Sequence, residues 1–368
     1  MQTALPCVLM RAGTSRGPFF LAADLPADPP TRDAVLLAAM GSAHPLQVDG
    51  LGGGNPLTSK VAIVSPSAHP DADVDYLFAQ VAVDRQVVDT APNCGNMLAG
   101  VGPFAIEAGL VAARAAVTTV RVRNVNTGAL VEARVQTPGG TVTYEGTAAI
   151  PGVAGTAAPI ELRFRRIAGA RTGRLFPTGR RQESLDGVPA TLIDCATPVM
   201  LLPAAALGVD AGACPAVIEA DRALMDRIEA LRLAAGRRMG LGDVRASVLP
   251  KPVLLGPAAD ATLAARYFTP HTVHRAMAVT GGLAIAAAAR LAGTVAAELA
   301  APGDAVRLRH PAGVLDVALE VAGEEVAWAG VVRTARRLFE GKVLVPARIW
   351  PGREAADRRR ERPLPAAA

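Results

Sequence analysis

Pro92-Asn93-Cys94-Gly95-Asn96-Met97-Leu98-Ala99-Gly100-Val101-Gly102-Pro103-Phe104-Ala105-Ile106-Glu107-Ala108-Gly109 is the stretch that decides the fold. Asn93 is a good helix cap, and the pattern predicts a helix over 95–108 that stops at Gly109. Beyond Asn96 it is apolar on every side except at Glu107. A helix without a polar face must be enclosed, so the stretch predicts a helix inside a wrapped sheet. Cys94 then stands at the helix mouth, where unpaired N–H groups and the positive helix end favour a thiolate. Gly95 removes bulk beside the sulfur. The same position also suits an inert, buried cysteine.

Comparing the chain with itself reveals a repeat. Cys94-Gly95 and Thr280-Gly281 lie 186 residues apart, and each opens an apolar helix ending in glycine, at Gly109 and Gly293. The same offset joins Val120-Arg121-Val122-Arg123 to Val306-Arg307-Leu308-Arg309. Ser59-Lys60-Val61-Ala62 resembles Pro250-Lys251-Pro252-Val253, Tyr144-Glu145-Gly146 matches Trp328-Ala329-Gly330, and the opening loop has a counterpart in Asp194-Cys195-Ala196-Thr197. These matches predict an α+β fold of two pseudo-symmetric domains, each a barrel-like sheet wrapped around a central helix. The expected domains are 1–182, with its helix from Cys94, and 183–350, with its helix from Thr280. A disordered, solvated tail over 351–368 would follow. Two helix mouths facing one cleft suit a compound with several carboxylates. The mouths are unequal, Cys94 against Thr280, so the opposed thiols that would invert a stereocentre are absent.

The composition sets outer bounds. With 368 residues, 51% hydrophobic and 19% charged, the chain can bury a large core and form two domains. Its net charge of +5 rests on arginine, since only Lys60, Lys251 and Lys342 are lysines. Aromatic content of 4%, with no basic stripe interleaved with aromatics, argues against nucleic-acid binding and leaves anionic small molecules open. Four cysteines without metal-ligand spacing, and no leader pattern, predict a reduced cytoplasmic chain without structural zinc. The most apolar run, 278–289, is too short for a bilayer, so no membrane span is expected. Nothing in the sequence speaks against a homodimer.

Along the chain, a strand leads into Arg11-Ala12-Gly13-Thr14-Ser15-Arg16-Gly17, a loop suited to holding a carboxylate with Ser15 and Arg16 and equally suited to an ordinary hairpin. A helix is expected over 31–40 with Thr31 as its cap. Gly50-Leu51-Gly52-Gly53-Gly54-Asn55-Pro56 invites comparison with a dinucleotide fingerprint, but it runs into a strand, where a phosphate loop must open a helix. Its glycines instead let backbone approach a ligand or another segment. Lys60, at the mouth of that strand, is a lysine where the chain otherwise uses arginine. It can lose its proton as arginine cannot, or simply snorkel to solvent. A strand over 81–89 leads to Cys94. An amphipathic helix is expected over 221–238, with Leu224, Ile228, Leu231 and Ala235 on one face. His274, six residues before Thr280, reaches the second helix mouth, either as a site group or as a packed histidine. Arg333 and Arg336 contact substrate or another strand; the sequence does not separate these.

Met10-Arg11-Ala12-Gly13-Thr14-Ser15-Arg16-Gly17, Gly52-Gly53-Gly54, Thr58-Ser59-Lys60-Val61-Ala62, Pro92-Asn93-Cys94-Gly95-Asn96 and His310-Pro311-Ala312-Gly313 together resemble the PrpF-like isomerases, over essentially the whole chain. Gly236-Arg237-Arg238-Met239-Gly240-Leu241-Gly242-Asp243 and the stretch 271–282 look most like the 4-oxalomesaconate tautomerase branch. The resemblance implies the diaminopimelate epimerase-like fold and a proton moved across an allylic system of an unsaturated tricarboxylate. The keto and enol forms of 4-oxalomesaconate would interconvert, in gallate-type aromatic degradation, with no metal or organic cofactor. It implies Cys94 and Lys60 as acid and base, in either order. Ser15, Arg16, Gly54, Asn55, Ser59, Asn93, Gly95, Asn96, His274, Thr280, Gly281 and Gly282 are the candidates for binding substrate. Arg16 stands where lysine is common in the family, and Ala312 where serine is frequent. The rival readings are an aconitate, 2-methylaconitate or methylitaconate isomerase and, in another class, a non-catalytic polycarboxylate-binding accessory protein.

Overall fold

The computed structural model describes residues 1–352 apart from Ala246, Pro270, Asp304 and Glu324. Its strands form two matching series. The first comprises β1 (Gln2–Ala12), β2 (Ser15–Leu21), β3 (Lys60–Pro66), β4 (Val74–Val81), the short β5 (Val88–Asp89), β6 (Val117–Asn124), β7 (Leu130–Gln136) and β8 (Ile160–Arg165). The second opens with the short β9 (Glu183–Leu185) and continues through β10 (Val188–Cys195), β11 (Thr197–Pro203), β12 (Lys251–Gly256), β13 (Leu263–Tyr267), β14 (Val306–His310), β15 (Gly313–Ala322) and β16 (Glu325–Arg333). A last strand, β17, spans Ala335–Pro346.

From β1 to β8, omitting β5, successive neighbours pair antiparallel, parallel, antiparallel, parallel, antiparallel and antiparallel. From β10 to β16 the same order recurs. β8 and β16 pair with each other, and β17 crosses back to run along β1. The expected α+β duplication is therefore present at the level of strand pairing.

Parallel neighbours need a crossover. Between β2 and β3 it contains α1 (Pro29–Met40), which packs outside the first sheet on Phe20, Val61, Ile63 and Ala79. α2 (Gly95–Leu98) and α3 (Val101–Glu107) lie inside that sheet. Between β11 and β12 run α4 (Pro215–Ala220) and α5 (Arg222–Arg238), and α5 covers the outside of the second sheet at Leu192, Met200, Leu202 and Leu254. α6 (Val279–Arg290) fills the second barrel, followed by α7 (Val295–Leu299). β3 and β12 are thus covered on both faces, which is why Val61-Ala62-Ile63-Val64 and Val253-Leu254-Leu255 read as continuous apolar runs.

Several expected details differ. α1 starts earlier because Asp28 caps it, accepting from the Thr31 N–H at 3.0 Å, with Pro29 and Pro30 at the first positions, where their missing N–H groups cost nothing. The first central helix is broken at Ala99 and Gly100: Pro103 has no N–H to offer the Ala99 carbonyl four residues back. The strand expected over 81–89 is mostly a turn: Val81 ends β4, and only Val88–Asp89 beyond it are in a strand, pairing back on Gln80 and Val81. Tyr144-Glu145-Gly146 is not a strand, and the sheet position equivalent to β16 is taken by β8. The expected tail concerns 351–368, of which 353–368 lie outside the described residues. No helix among the described residues is long and apolar enough to cross a membrane.

Candidate active site

Cys94 is itself the cap of α2. Its backbone is extended, the Met97 N–H donates to Sγ at 3.5 Å, and the buried Tyr76 hydroxyl donates to the Cys94 carbonyl at 3.2 Å. Asn93, expected in the capping role, lies outside the helix, and its Oδ1 is buried without a partner among the described residues. Ser15, 2% exposed, has an unpartnered Oγ, and Arg16 an unpartnered buried Nε. Buried polar atoms ordinarily find hydrogen bonds; here three of the orphans among the described residues fall on the candidates Asn93, Ser15 and Arg16. The Arg16 guanidinium rests on Gly53, where a Cβ would stand 2.7 Å from Nη2. Asn96 ties the mouth to the opening loop by donating from Nδ2 to Thr14 Oγ1 at 3.1 Å.

Lys60 donates from Nζ to Gln80 Oε1 at 2.6 Å and lies 5.1 Å from the centre of the Phe78 ring. The Gln80 amide is oriented in turn by the Ser59 and Pro56 carbonyls. Ser59 is fully buried, donating to the Val81 carbonyl and accepting from Gln47, whose Oε1 takes the Gly54 N–H at 3.0 Å. Asn55 is exposed and accepts the Leu57 N–H at 2.8 Å. The structure therefore places Ser59, Gly54 and Asn55 in the frame of the glycine loop, with these polar groups engaged inside the protein.

The second mouth meets the first at Gly95, where a Cβ would stand 2.8 Å from Val279 Cβ. α6 begins at Val279 with no side-chain cap, so its first N–H groups are open beside Thr280. Gly281 and Gly282 admit the Tyr267 ring and Leu315 into van der Waals contact with the helix. The His274 Nδ1 accepts the Ala276 N–H at 3.0 Å, leaving Nε2 to carry the proton of the neutral ring. Burial lowers the His274 pKa, and the charges of Lys60 and Lys251 lower it further. One imidazole thus feels a lysine from each half.

Lys251 was not among the candidates, although its match to Lys60 was visible. Burial, then Arg232, lowers its pKa to about 8. Arg232 is fully buried on α5 and donates to the Val244, Ser247 and Leu249 carbonyls, fixing the segment that enters β12. The other buried thiols, Cys7 and Cys195, have pKa values pushed up by burial. A surface concavity of about 330 Å3, lined by Asp71, Arg121, Glu132 and Arg165 among others, contains none of the candidate groups.

Two barrels with apposed helix mouths, bearing a cysteine at one and a threonine at the other, define an isomerase of the diaminopimelate epimerase-like fold. The chain belongs to the PrpF family, described as PrpF protein, which it matches over residues 2–346. It is 54% identical to the Escherichia coli protein YbhH over 348 residues, 93% of this chain and 99% of that one. It is 48% identical to the 4-oxalomesaconate tautomerase of Pseudomonas putida over 358 residues, 96% of this chain and 99% of that one. The crystal structure of a methylitaconate-delta-isomerase superimposes with a TM-score of 0.86 at 37% identity, covering 95% of this chain and 97% of the other.

Proposed function

We propose that the protein is a cofactor-independent, cytoplasmic tautomerase that interconverts the keto and enol forms of 4-oxalomesaconate in gallate-type aromatic catabolism, with Cys94 and Lys60 as the proton-transfer pair. The observation that carries this reading is the 48% identity to a 4-oxalomesaconate tautomerase across 96% of the chain. In the keto form a methylene lies between a ketone and an alkene. One group of the pair takes a proton from it, the electron pair spreads into the carbonyl as a dienolate, and the other group protonates that oxygen. Ser15 Oγ, Arg16 Nε and the open N–H groups of α6 hold the carboxylates and the developing charge. The enzyme acts on a free small molecule, and the reading leaves a homodimer open.

Cys94→Ala and Lys60→Ala should each lower turnover by roughly 10²–10⁴-fold, followed through the enol absorbance, while the fold is retained. Near wild-type rates in both folded variants would sink the assignment. The methylitaconate-delta-isomerase superposition favours a second reading, an allylic isomerase acting on methylitaconate or an aconitate. Side-by-side turnover of these acids separates the two. Exchange of substrate protons with deuterated solvent separates either from a non-catalytic binding protein.

A further inference from the structure

Counting strand partners outward from the matched lysines sets each strand of the second barrel against one of the first. With Lys60 aligned to Lys251, the pairings carry Val74 to Leu263, Val122 to Leu308 and Val131 to Leu315, and the register of Val317 with Val331, extended by two residues, carries Phe164 to Arg333. The match of Val122 to Leu308 is the one the 186-residue repeat gives independently. Phe164 is 2% exposed and belongs to the core around the first central helix. Arg333 holds the same inward position in the second barrel at 6% exposure.

A guanidinium stays charged on burial, so an arginine at the equivalent of a core phenylalanine calls for a partner. The described residues supply little. Arg333 Nη1 donates to the Val332 carbonyl at 2.9 Å, and Nε is buried with no acceptor. Burial alone lowers its pKa to about 10, with no carboxylate opposing the shift.

The surroundings place Arg333 at the mouth of α6. Val317 pairs with Val331, which sets Leu315 and Arg333, each two residues further along on the inward face, side by side. Leu315 touches the first turn of α6, since a Cβ on Gly282 would stand 2.6 Å from its side chain. His310, 5% exposed, feels Arg333 more than any other charge. Its Nδ1 accepts the Ala312 N–H at 3.2 Å, which leaves Nε2–H free to donate. α6 itself begins uncapped.

We propose that Arg333 and His310 form a carboxylate subsite in the second barrel, holding the carboxylate that branches from the middle of the substrate whose reacting carbon lies at Cys94 and Lys60. The proposal rests on the polycarboxylate reading above. Arg333 Nε and His310 Nε2 donate to the carboxylate, and the open end of α6 faces it.

The test compares the wild type with Arg333→Phe and Arg333→Lys by calorimetric titration with tricarballylate and with glutarate, which lacks the central carboxylate. Phenylalanine is what the first barrel carries at this position, so the architecture accommodates it. Lysine keeps the charge but loses Nε and the planar fork. The wild type should bind tricarballylate about tenfold or more tighter than glutarate. Arg333→Phe should abolish that preference by weakening tricarballylate, while glutarate changes by less than about twofold, and Arg333→Lys should fall between. The Phe variant should melt no lower than the wild type, because an uncompensated buried charge has gone. Retained preference, equal weakening of both acids, or no binding by the wild type overturns the subsite. An arginine with only a structural role would lower the melting temperature on removal and leave the preference intact. Turnover is read separately. Unchanged kcat/KM for 4-oxalomesaconate in Arg333→Phe sinks the subsite and leaves the tautomerase reading standing. Lost preference in a protein that turns over none of the acids does the reverse.

Discussion

Lys60 and Lys251 open equivalent strands, yet among the described residues only Lys60 has a side-chain hydrogen-bond partner, Gln80. Lys251 sits near Arg232 and His274 with its pKa lowered to about 8. Between pH 8 and its ordinary value of 10.5 the unfolded chain keeps a proton that the native protein has released. Stability therefore rises with pH across that window, and the charged lysine costs on the order of 3 kcal/mol below it. Lys251→Met should be more stable than the wild type at pH 7 in urea, with the difference shrinking towards pH 10; a pH-independent difference would contradict this. His310 titrates on the acid side, with its pKa lowered to about 4 by burial and by Arg333. The unfolded chain protonates this histidine near pH 6.5 and the native protein only near pH 4, so stability is lost as pH falls through that interval. His310→Gln should flatten the loss, read as urea midpoints at pH 7 and pH 4.5. At this scale the sequence was informative where identity and position coincide, as for Cys94 ahead of an apolar run and Lys60 among arginines. It left Arg333 between a substrate contact and a strand contact, because its oddity appears only once the strand register sets it against Phe164.

The two central helices approach each other where Gly95 faces Val279, and this approach sets how closely the mouths face each other. A methyl group at Gly95 would press on the Val279 side chain at 2.8 Å, tighter than real Cβ contacts allow. Gly95→Ala should cost about 1–3 kcal/mol in stability. Val279→Gly, which removes the Cβ that the new methyl group meets, should recover much of that when added to it, giving a favourable coupling of about 1 kcal/mol in a double-mutant cycle. Additive effects would mean that the mouths are not in contact. The enclosed helix was legible from its apolar sides. Its break was not, because a proline near the start of an apolar run looks harmless until the helical bond it cannot give the Ala99 carbonyl is considered. The cap was misplaced by one residue for a similar reason: asparagine is the better cap by type, but Cys94 has the extended backbone and receives the Met97 N–H.

The whole molecule is a duplication whose halves are sewn together twice, by β8 against β16 and by β17 against β1. The sequence revealed the repeat because the barrels keep the same pairing order, so Val120-Arg121-Val122-Arg123 and Val306-Arg307-Leu308-Arg309 fall at the same strand. It did not reveal the stitching, since a returning strand such as Ala335–Pro346 carries no mark of the half it will join. We propose the two units as 1–182 and 183–350, with the second lending its last strand to the first. β17 pairs with β1 from Gln2 to Ala12, and its Val345 belongs with the core that α1 covers. Residues 1–179, ending at the exposed turn at Gly179, should therefore fail to fold alone, because they lack the strand that covers β1. Residues 180–352 supply that strand, so the two pieces expressed together should copurify and regain turnover, since Cys94 and Lys60 come from one piece and His274, Arg333 and α6 from the other. Cooperative unfolding of the first piece by itself, or turnover without the second, would show that the halves are independent barrels.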